Sequence, residues 1–356
     1  MATPKFMQGK GDFHTVLKNR VNQYFSDQKR SMTGNFSLLF KAILFGLLYL
    51  AIYVHLVFFT PGVWIALPEC IFFGLLTAAI GFNVMHDGAH GSFSKSKLIN
   101  KAAGSSLNFL GGSAIMWNMK HNIIHHTYTN IDGVDDDIEA RPWLRFASTQ
   151  KKLKFHKFQQ YYFWFLYALL HLLWIFMTDY KKYFQHRIGS VQLRKMTPYE
   201  HFSFWAAKAI YAFMFVALPI MLLGFLPWLV GFLTITMITG FATSIVFQLA
   251  HTVEDTEFPM PDETSGKIES EWAIHQINTT ANFATKNKTI SWLLGGLNFQ
   301  IEHHLFPRIS HVHYPEISKI IKKTCREYGI NYIEYPKMRN AIVSHIHYLK
   351  RLGQIA

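Results

Sequence analysis

The sequence predicts an all-α integral membrane protein with four transmembrane helices and a cytoplasmic helical cap that holds a two-metal site. Three observations support this fold class. Half of the 356 residues are hydrophobic and only 16% are charged, whereas soluble domains carry roughly 25% charged residues. The hydrophobic residues are concentrated in runs long enough to cross a bilayer. The chain contains 19 His but only 2 Cys, so we expect any metal site to use imidazole ligands.

Four apolar runs are the predicted membrane spans, and they fall into two hairpins. A Pro-Gly turn joins the first pair, and Gly224 and Pro227 divide a second long apolar stretch into another pair. At ~1.5 Å per residue, a run of about 20 residues crosses the ~30 Å of hydrocarbon in a bilayer. Residues 1–35 are then a cytoplasmic N-terminal segment, and residues 36–356 form a single membrane domain. The predicted spans lie near residues 36–59, 63–85, 204–223 and 228–250.

The basic residues set the predicted orientation. Lys and Arg number 35 against 22 Asp and Glu, a net charge of +13, and six of them lie in the N-terminal segment, while the two hairpin turns carry no charge. The positive-inside rule therefore places both termini and the segment between the hairpins in the cytoplasm. Lys41 and Lys208 are each near the start of a span, so we expect them to extend to the cytoplasmic surface. The charges flank the apolar runs and form no separate basic face, so no nucleic-acid partner is predicted.

A fifth apolar run, Tyr161–Met177, is predicted to be an interfacial helix rather than a span. It has 17 residues, contains His171, and has basic residues on both flanks. A fifth crossing would also place the histidine-rich segments described next on opposite sides of the membrane. We therefore expect a helix near 161–177 at the membrane surface.

The candidate chemistry lies in three polar clusters next to the predicted spans, joined by a histidine at the end of the fourth span. In a helix, residues i and i+4 share one face, so each i, i+4 pair of histidines can face one ion from the same side. Eight imidazoles at one membrane boundary would repel each other when protonated unless a metal kept them neutral. The clusters are His86-x3-His90, His121-x3-His125-His126 and Gln300-x2-His303-His304, and the further histidine is His251.

The residues alone leave the metal and the function class open. Imidazole binds Zn, Cu, Fe and Ni, and since a tetrahedral zinc takes about four ligands, eight histidines indicate two ions. The sequence has no His-Glu-x-x-His and no Glu-x-x-His, which excludes the zinc metalloprotease pattern and that of the soluble di-iron carboxylate bundles. Zinc would polarise a carbonyl or water, and iron could attack a C–H bond. A metal transporter or sensor would need ionisable residues at mid-span, and the spans have almost none.

The three clusters resemble the histidine boxes of the membrane fatty-acid desaturases. The Gln that opens the third cluster resembles the front-end branch, which introduces a double bond between an existing one and the carboxyl end. The resemblance covers roughly residues 36–315 and includes flanking sequence such as Asp135-Asp-Asp-Ile138 and Gln276-x2-Thr279. It is closest in kind to bacterial linoleoyl-CoA-type members without a fused cytochrome domain. It implies formation of a cis double bond, with delta-6-like position, in a long unsaturated chain carried by CoA or a lipid.

The resemblance also implies cofactors, partners and a location. It implies a di-iron centre of two Fe ions, O2 as co-substrate, and a separate ferredoxin, flavodoxin or cytochrome as electron donor, because no His-Pro-Gly-Gly haem motif occurs. It implies a bacterial inner membrane, or the endoplasmic reticulum of a eukaryote, with a cytoplasmic active site among membrane lipid. The alternative on the same scaffold is a membrane di-iron hydroxylase of fatty acids or lipids. The implied iron ligands are His86, His90, His121, His125, His126, His251, His303 and His304.

Three further residues are candidates for supporting roles. Gln300 could ligate weakly, act through water, or support His304. His275 is a possible ninth ligand outside the three boxes. Asp135 belongs to an acidic run that is either a solvated loop or a set of carboxylates orienting imidazole N–H groups.

Overall fold

Five long helices form the centre of the structure, a computed structural model that describes residues 4–7 and 12–355. Shorter helices and three two-stranded pairings surround one end of them and are called the cap here. The helices are α1 (Phe13–Asp27), α2 (Phe36–Phe59), α3 (Val63–His90), α4 (Lys97–Ser105), α5 (114–128), α6 (Lys154–Gln185), α7 (Pro198–Leu223), α8 (Phe225–His251), α9 (Trp272–Asn278), α10 (Lys288–Leu293), α11 (Gln300–Leu305), α12 (Tyr314–Glu327) and α13 (Met338–Gln354).

Local signals explain where the long helices begin and end. The Asn35 side chain accepts a hydrogen bond from the N–H of Leu38, so α2 begins at the predicted residue. Helix α7 begins at Pro198, six residues before the predicted span, because Thr197 and Glu200 form a capping box. Helix α3 continues five residues past its predicted end, which places the first histidine cluster on the last turn of that helix.

Among the described residues, five helices are long and apolar enough to cross a membrane, one more than the four predicted spans. The additional candidate is α6, which contains the run predicted as an interfacial helix and extends over 32 residues. Length and composition alone do not separate an interfacial helix from a span.

Lys41 and Lys208 do not extend to a membrane surface as predicted, because both are buried in protein. The Lys208 ammonium lies 2.7 Å from the Asp179 carboxylate. The Lys41 ammonium donates a hydrogen bond to the carbonyl of Trp292 at 2.9 Å and lies 3.4 Å from His311 Nε2. A buried ammonium is tolerated only with such partners. The two lysines thus join α2 to the cap and α7 to α6.

Helix α1, which lies in the predicted N-terminal segment, belongs to the cap. Phe13, Leu17 and Val21 lie at i, i+4 spacing on α1 and pack against Ile317 and Ile321 of α12. Short strand pairings close the cap: β1 (Lys5–Phe6) runs parallel to β4 (Lys267–Ile268), β2 (Arg187–Ile188) antiparallel to β3 (Val191–Gln192), and β5 (Asn282–Phe283) parallel to β6 (Glu334–Tyr335).

Helices α6 and α8 pack so closely that a glycine is required at their contact. A Cβ added at Gly240 would collide with the Ala168 carbonyl, whereas nothing lies within 4 Å of a Cβ added at Gly46 in α2. We predict that Gly240→Ala lowers the free energy of unfolding by about 1–3 kcal/mol, as overpacking typically does. Gly46→Ala should be neutral or stabilising, because Ala favours helix over Gly. Thermal unfolding in detergent checks this, and equal melting temperatures for the two variants would contradict it.

Candidate metal centre

The eight predicted histidines meet at the cap end of the long helices. They come from four separate helices: His86 and His90 end α3, and His251 is the last residue of α8. The second cluster lies on α5 and the third on α11. Seven of the eight are buried and His90 is half-buried. Residues far apart in sequence thus form one continuous cluster of imidazoles.

Within the cluster, the ring nitrogens converge at two places. The first histidine group consists of His86, His90, His121 and His303, and the second histidine group consists of His125, His251 and His304. In each group the candidate ligand atoms all lie within 4.8 Å of one another. Ligand nitrogens about 2.1 Å from one ion are roughly 3 Å apart, and Nε2 of His86 lies 3.2 Å from Nε2 of His121. The arrangement therefore has the dimensions of two metal sites.

His126 lies between the two groups. Its ring nitrogen falls within the same 4.8 Å limit of nitrogens of His303 and His304, one from each group. Its Nε2 is also 3.2 Å from Nε2 of His121. His126 is therefore placed to contribute to either group.

Two histidines that the sequence placed on one helix face lie in a π-helical turn. Residues Met119–His125 form this wider turn, in which hydrogen bonds close over five residues instead of four. The rings of His121 and His125 remain 5.2 Å apart, and nitrogens of both also lie within 4.8 Å of an Asp137 carboxylate oxygen, so the two histidines link the first group to the second. A second π-helical turn, Gly81–Met85, directly precedes His86. Such turns occur frequently at functional sites.

Hydrogen bonds at Nδ1 orient the rings of the second group. Nδ1 of His125 lies 3.0 Å from a carboxylate oxygen of Asp135, and Nδ1 of His304 lies 2.8 Å from the amide oxygen of Gln276. Both partners are acceptors, so each Nδ1 must carry the proton. The lone pair of the neutral ring is then on Nε2, the atom that faces the group.

The unpartnered nitrogens test whether a metal fits. Nε2 of His125, His303 and His304 is buried and has no hydrogen-bond partner among the described residues. Buried polar atoms without a partner are rare in native proteins. Imidazole Nε2 is a ligand for iron, zinc or copper. The donor set and these orphaned lone pairs fit a bound metal in each group.

The charge state of the rings also suits metal binding. Burial lowers the pKa of His121, His126, His303 and His304, and neighbouring imidazoles lower it further, which keeps these rings neutral. His125 differs. Burial opposes its protonation, but the carboxylates of Asp135 and Asp137 outweigh burial and raise its pKa. The second group therefore has negative charge beside it.

Part of the acidic run belongs to the site wall, whereas Glu139 at its end is exposed. Asp135 is 2% exposed, and its carboxylate also accepts the backbone N–H of Asn130 at 2.9 Å. The Asp137 carboxylate lies 2.5 Å from the Lys120 ammonium and 3.3 Å from Nδ1 of His125. Of the two alternatives left open by the sequence, this geometry favours orientation of imidazole N–H groups.

The structure gives positions for the other two supporting candidates. Nε2 of Gln300 lies 3.1 Å from Nε2 of His251, and its Oε1 is buried with no hydrogen-bond partner among the described residues. His275 is buried and its ring packs on that of Phe6 at 5.0 Å. The structure brings His275 into neither histidine group. We therefore do not propose it as a ligand.

Sequence reasoning missed two partners of the boxes. Gln276, the residue that orients His304, was noted only as part of the sequence that flanks the boxes, with no role in the site. His311 was not among the predicted site residues, but it is buried with Nδ1 3.0 Å from the Asp87 carboxylate. Ser310 donates to the same carboxylate at 2.6 Å. Asp87, one residue after His86, thus ties the first box to the segment that follows the third.

A cavity of about 770 Å³ lies between α3, α6 and α8 and is lined by His86, His121, His125 and His251. Charged side chains line the part next to His125, here called the charged end, because Asp137 lies 3.3 Å from Nδ1 of His125, Lys120 pairs with Asp137 and Asp136, and Lys182 pairs with Asp136. Glu139, Arg141, Asp179 and Lys181 also line the cavity. The other part of the cavity extends away from the histidines along α8, from His251 to Thr239. This distance is about 18 Å at ~1.5 Å per residue. Its walls there are mostly apolar, with Ala78 and Leu170 among them. The cavity thus has the shape and lining for a long apolar chain with a polar end.

Comparison with known proteins identifies the family. The sequence profile of the fatty acid desaturase family matches residues 62–336. The chain belongs to the fatty acid desaturase family. It is 37% identical to the sn-1 linoleoyl-lipid 6-desaturase of Synechocystis sp., over 98% of this chain and 98% of that protein. It is 33% identical to the protein of that name from Arthrospira platensis, over 99% and 95% respectively. The acyl-lipid (8-3)-desaturase of Physcomitrium patens is 36% identical over 96% of this chain and 72% of its own.

The hydrogen bonds at Nδ1 predict a measurable effect on metal binding. Asp135→Leu and Gln276→Leu each remove an acceptor, so we predict a loss of ~10–100-fold in metal affinity, the usual effect of losing such a partner. His275→Leu is the matched control: it removes a buried imidazole outside both groups and should retain the full metal content. Metal per chain, measured by mass spectrometry after dialysis against a graded chelator, checks this. Full metal retention in both Leu variants would contradict the orienting role.

Proposed function

We propose that this protein is a front-end acyl-lipid desaturase that introduces a cis double bond, with delta-6-like position, into a long acyl chain that is already unsaturated. The family makes it an oxidoreductase. The observation that carries the proposal is the convergence of unpartnered imidazole nitrogens on the wall of a long, mostly apolar cavity. The printed names of the full-length relatives, linoleoyl-lipid and acyl-lipid desaturases, support the substrate class.

The two histidine groups would hold two iron ions, with His126 between them. Bound iron would supply the activation of oxygen that attack on an unactivated C–H bond requires. The overall reaction balances. One O2 combines with two electrons, two protons and the two hydrogen atoms removed from neighbouring methylene groups to form two water molecules. The electrons would come from a separate donor of ferredoxin, flavodoxin or cytochrome type.

The residues of the chain would position the substrate and protect the site. The apolar walls along α3 and α8 would hold the acyl chain extended and exclude water from the histidines. The cavity geometry supports the front-end position. Because Asp137 contacts His125, the charged end of the cavity is next to the site, whereas the apolar part extends about 18 Å beyond it. A head group at the charged end leaves only a few carbons before the metals.

We propose further that α6 does not cross the membrane and that the site faces the cytoplasm. Helices α6, α7 and α8 lie between His126 and His251 in sequence, and His125 and His251 are in one group. Three full crossings would place them on opposite faces, so the number must be even. Both ends of α6 contact the cap: Gln159 donates to the carbonyl of Leu349, and Lys182 pairs with Asp136. These contacts support an interfacial course for α6.

The proposed reaction predicts a defined product. In a host fed linoleic acid, we expect the protein to form an acyl chain with an additional double bond at carbon 6, located by mass spectrometry. His125→Ala should lose the product and the iron together, because the second group loses a ligand. His347→Ala, at an exposed position outside both groups, is the matched control and should be fully active. A hydroxylated product would contradict the proposed desaturation and favour the alternative function, hydroxylation. A fully active His125→Ala variant would contradict the assignment of the metal site.

The proposed topology predicts the sidedness of two loops. Single cysteines at Lys151 and Gly266 flank the segment that contains α6, α7 and α8, and the native Cys70 and Cys325 are buried. Both introduced cysteines should react with an impermeant maleimide from the same, cytoplasmic side of sealed vesicles. Labelling from opposite sides would show an odd number of crossings and would contradict the proposal.

A further inference from the structure

One side of the cavity is open, and its rim is apolar. Four large apolar residues that line the cavity are exposed: Trp143 by 62%, Met177 by 60%, Leu173 by 41% and Leu170 by 40%. Leu170, Leu173 and Met177 lie at i, i+3 and i+7 on one face of α6, and Trp143 lies on the segment that follows the acidic run. We call this rim the lateral opening.

The surroundings of the lateral opening indicate what it faces. Helix α6 also exposes Phe165 by 60% and Phe176 by 48%, which do not line the cavity. A contiguous surface of large apolar side chains is unfavourable in water and typical of contact with lipid. The lateral opening therefore faces the acyl layer of a membrane and not the aqueous phase.

Charged residues mark the edge of the lateral opening that is next to the histidines. Arg141 and Lys181 both line the cavity and both are exposed. Arg141 forms ion pairs with Glu139 and Asp132. Basic side chains beside an exposed Trp are characteristic of the head-group level of a bilayer. The rim thus passes from head-group chemistry at one edge to acyl-chain chemistry along α6.

We propose that the acyl chain of a membrane glycerolipid enters the cavity sideways through the lateral opening, while its head group stays outside against Arg141 and Lys181. The inference rests on the proposed function and adds the route by which the lipid-linked chain enters. An apolar chain that moves from lipid into an apolar cavity never passes through water, so entry has little hydrophobic cost. A head group held at this edge also fixes how far the chain can advance past the histidines, and so which carbons are oxidised.

Blocking the lateral opening tests the proposal. Met177→Cys places a thiol on the rim, and Phe184→Cys is the matched control: Phe184 is 65% exposed on the same helix but does not line the cavity. Each variant is reconstituted in vesicles that contain a linoleoyl glycerolipid and is treated with a bulky, membrane-soluble maleimide. Turnover is compared with the same variant unlabelled. We expect labelling to lower turnover at least tenfold for Met177→Cys and to leave Phe184→Cys unchanged. Trp143→Cys, on the opposite side of the rim, repeats the test if Met177→Cys does not fold.

Two results would overturn the proposal. The first is labelled Met177→Cys and Trp143→Cys enzymes that both retain full turnover. The second is a labelled enzyme that is blocked for the lipid but converts linoleoyl-CoA, added from the aqueous side, at the unlabelled rate, because the chain then has another entrance and another carrier. In either case unlabelled enzyme would still form the new double bond, so failure of the entry route is distinguishable from failure of the proposed function.

Discussion

Eight imidazoles can be packed into one site only if their rings remain neutral and their lone pairs have something to bind. Burial favours the neutral form of rings such as His121. Acceptors such as Asp135 and Gln276 hold a proton on Nδ1, which leaves the lone pair of a neutral ring on Nε2. A metal bound by the orphaned Nε2 atoms would meet the second condition. The four helices that carry the histidines come together at this arrangement.

Buried polar contacts transmit the position of the membrane helices to the site. The Lys41 ammonium in α2 lies beside His311, which pairs with Asp87 next to the first histidine group. Lys208 in α7 pairs with Asp179 of α6, which forms part of the cavity wall. Breaking one partner of such a buried pair is typically more costly than the pair is worth. The network therefore favours one arrangement of the helices around the cavity over its alternatives.

The sequence predicted the features that depend on local composition and spacing. The predicted bounds of the first apolar run, residues 36–59, match both ends of α2. The three histidine clusters were identified from helix periodicity. The missed features depend on side-chain geometry or on contacts between distant residues. The Thr197 capping box moved the start of α7, and the segment that carries His121 and His125 is a π-helical turn instead of regular α-helix. No spacing rule links Lys41 to His311, or Gln300 to His251, because those contacts exist only once the helices have packed.

The central claim is that the two histidine groups are two metal sites on the wall of one acyl cavity. Diffraction from crystals of the iron-loaded protein, recorded at the iron absorption edge, tests it most directly. The account predicts two anomalous peaks, one bounded by His86, His90, His121 and His303 and the other by His125, His251 and His304. A single peak, or iron bound outside both groups, would contradict it.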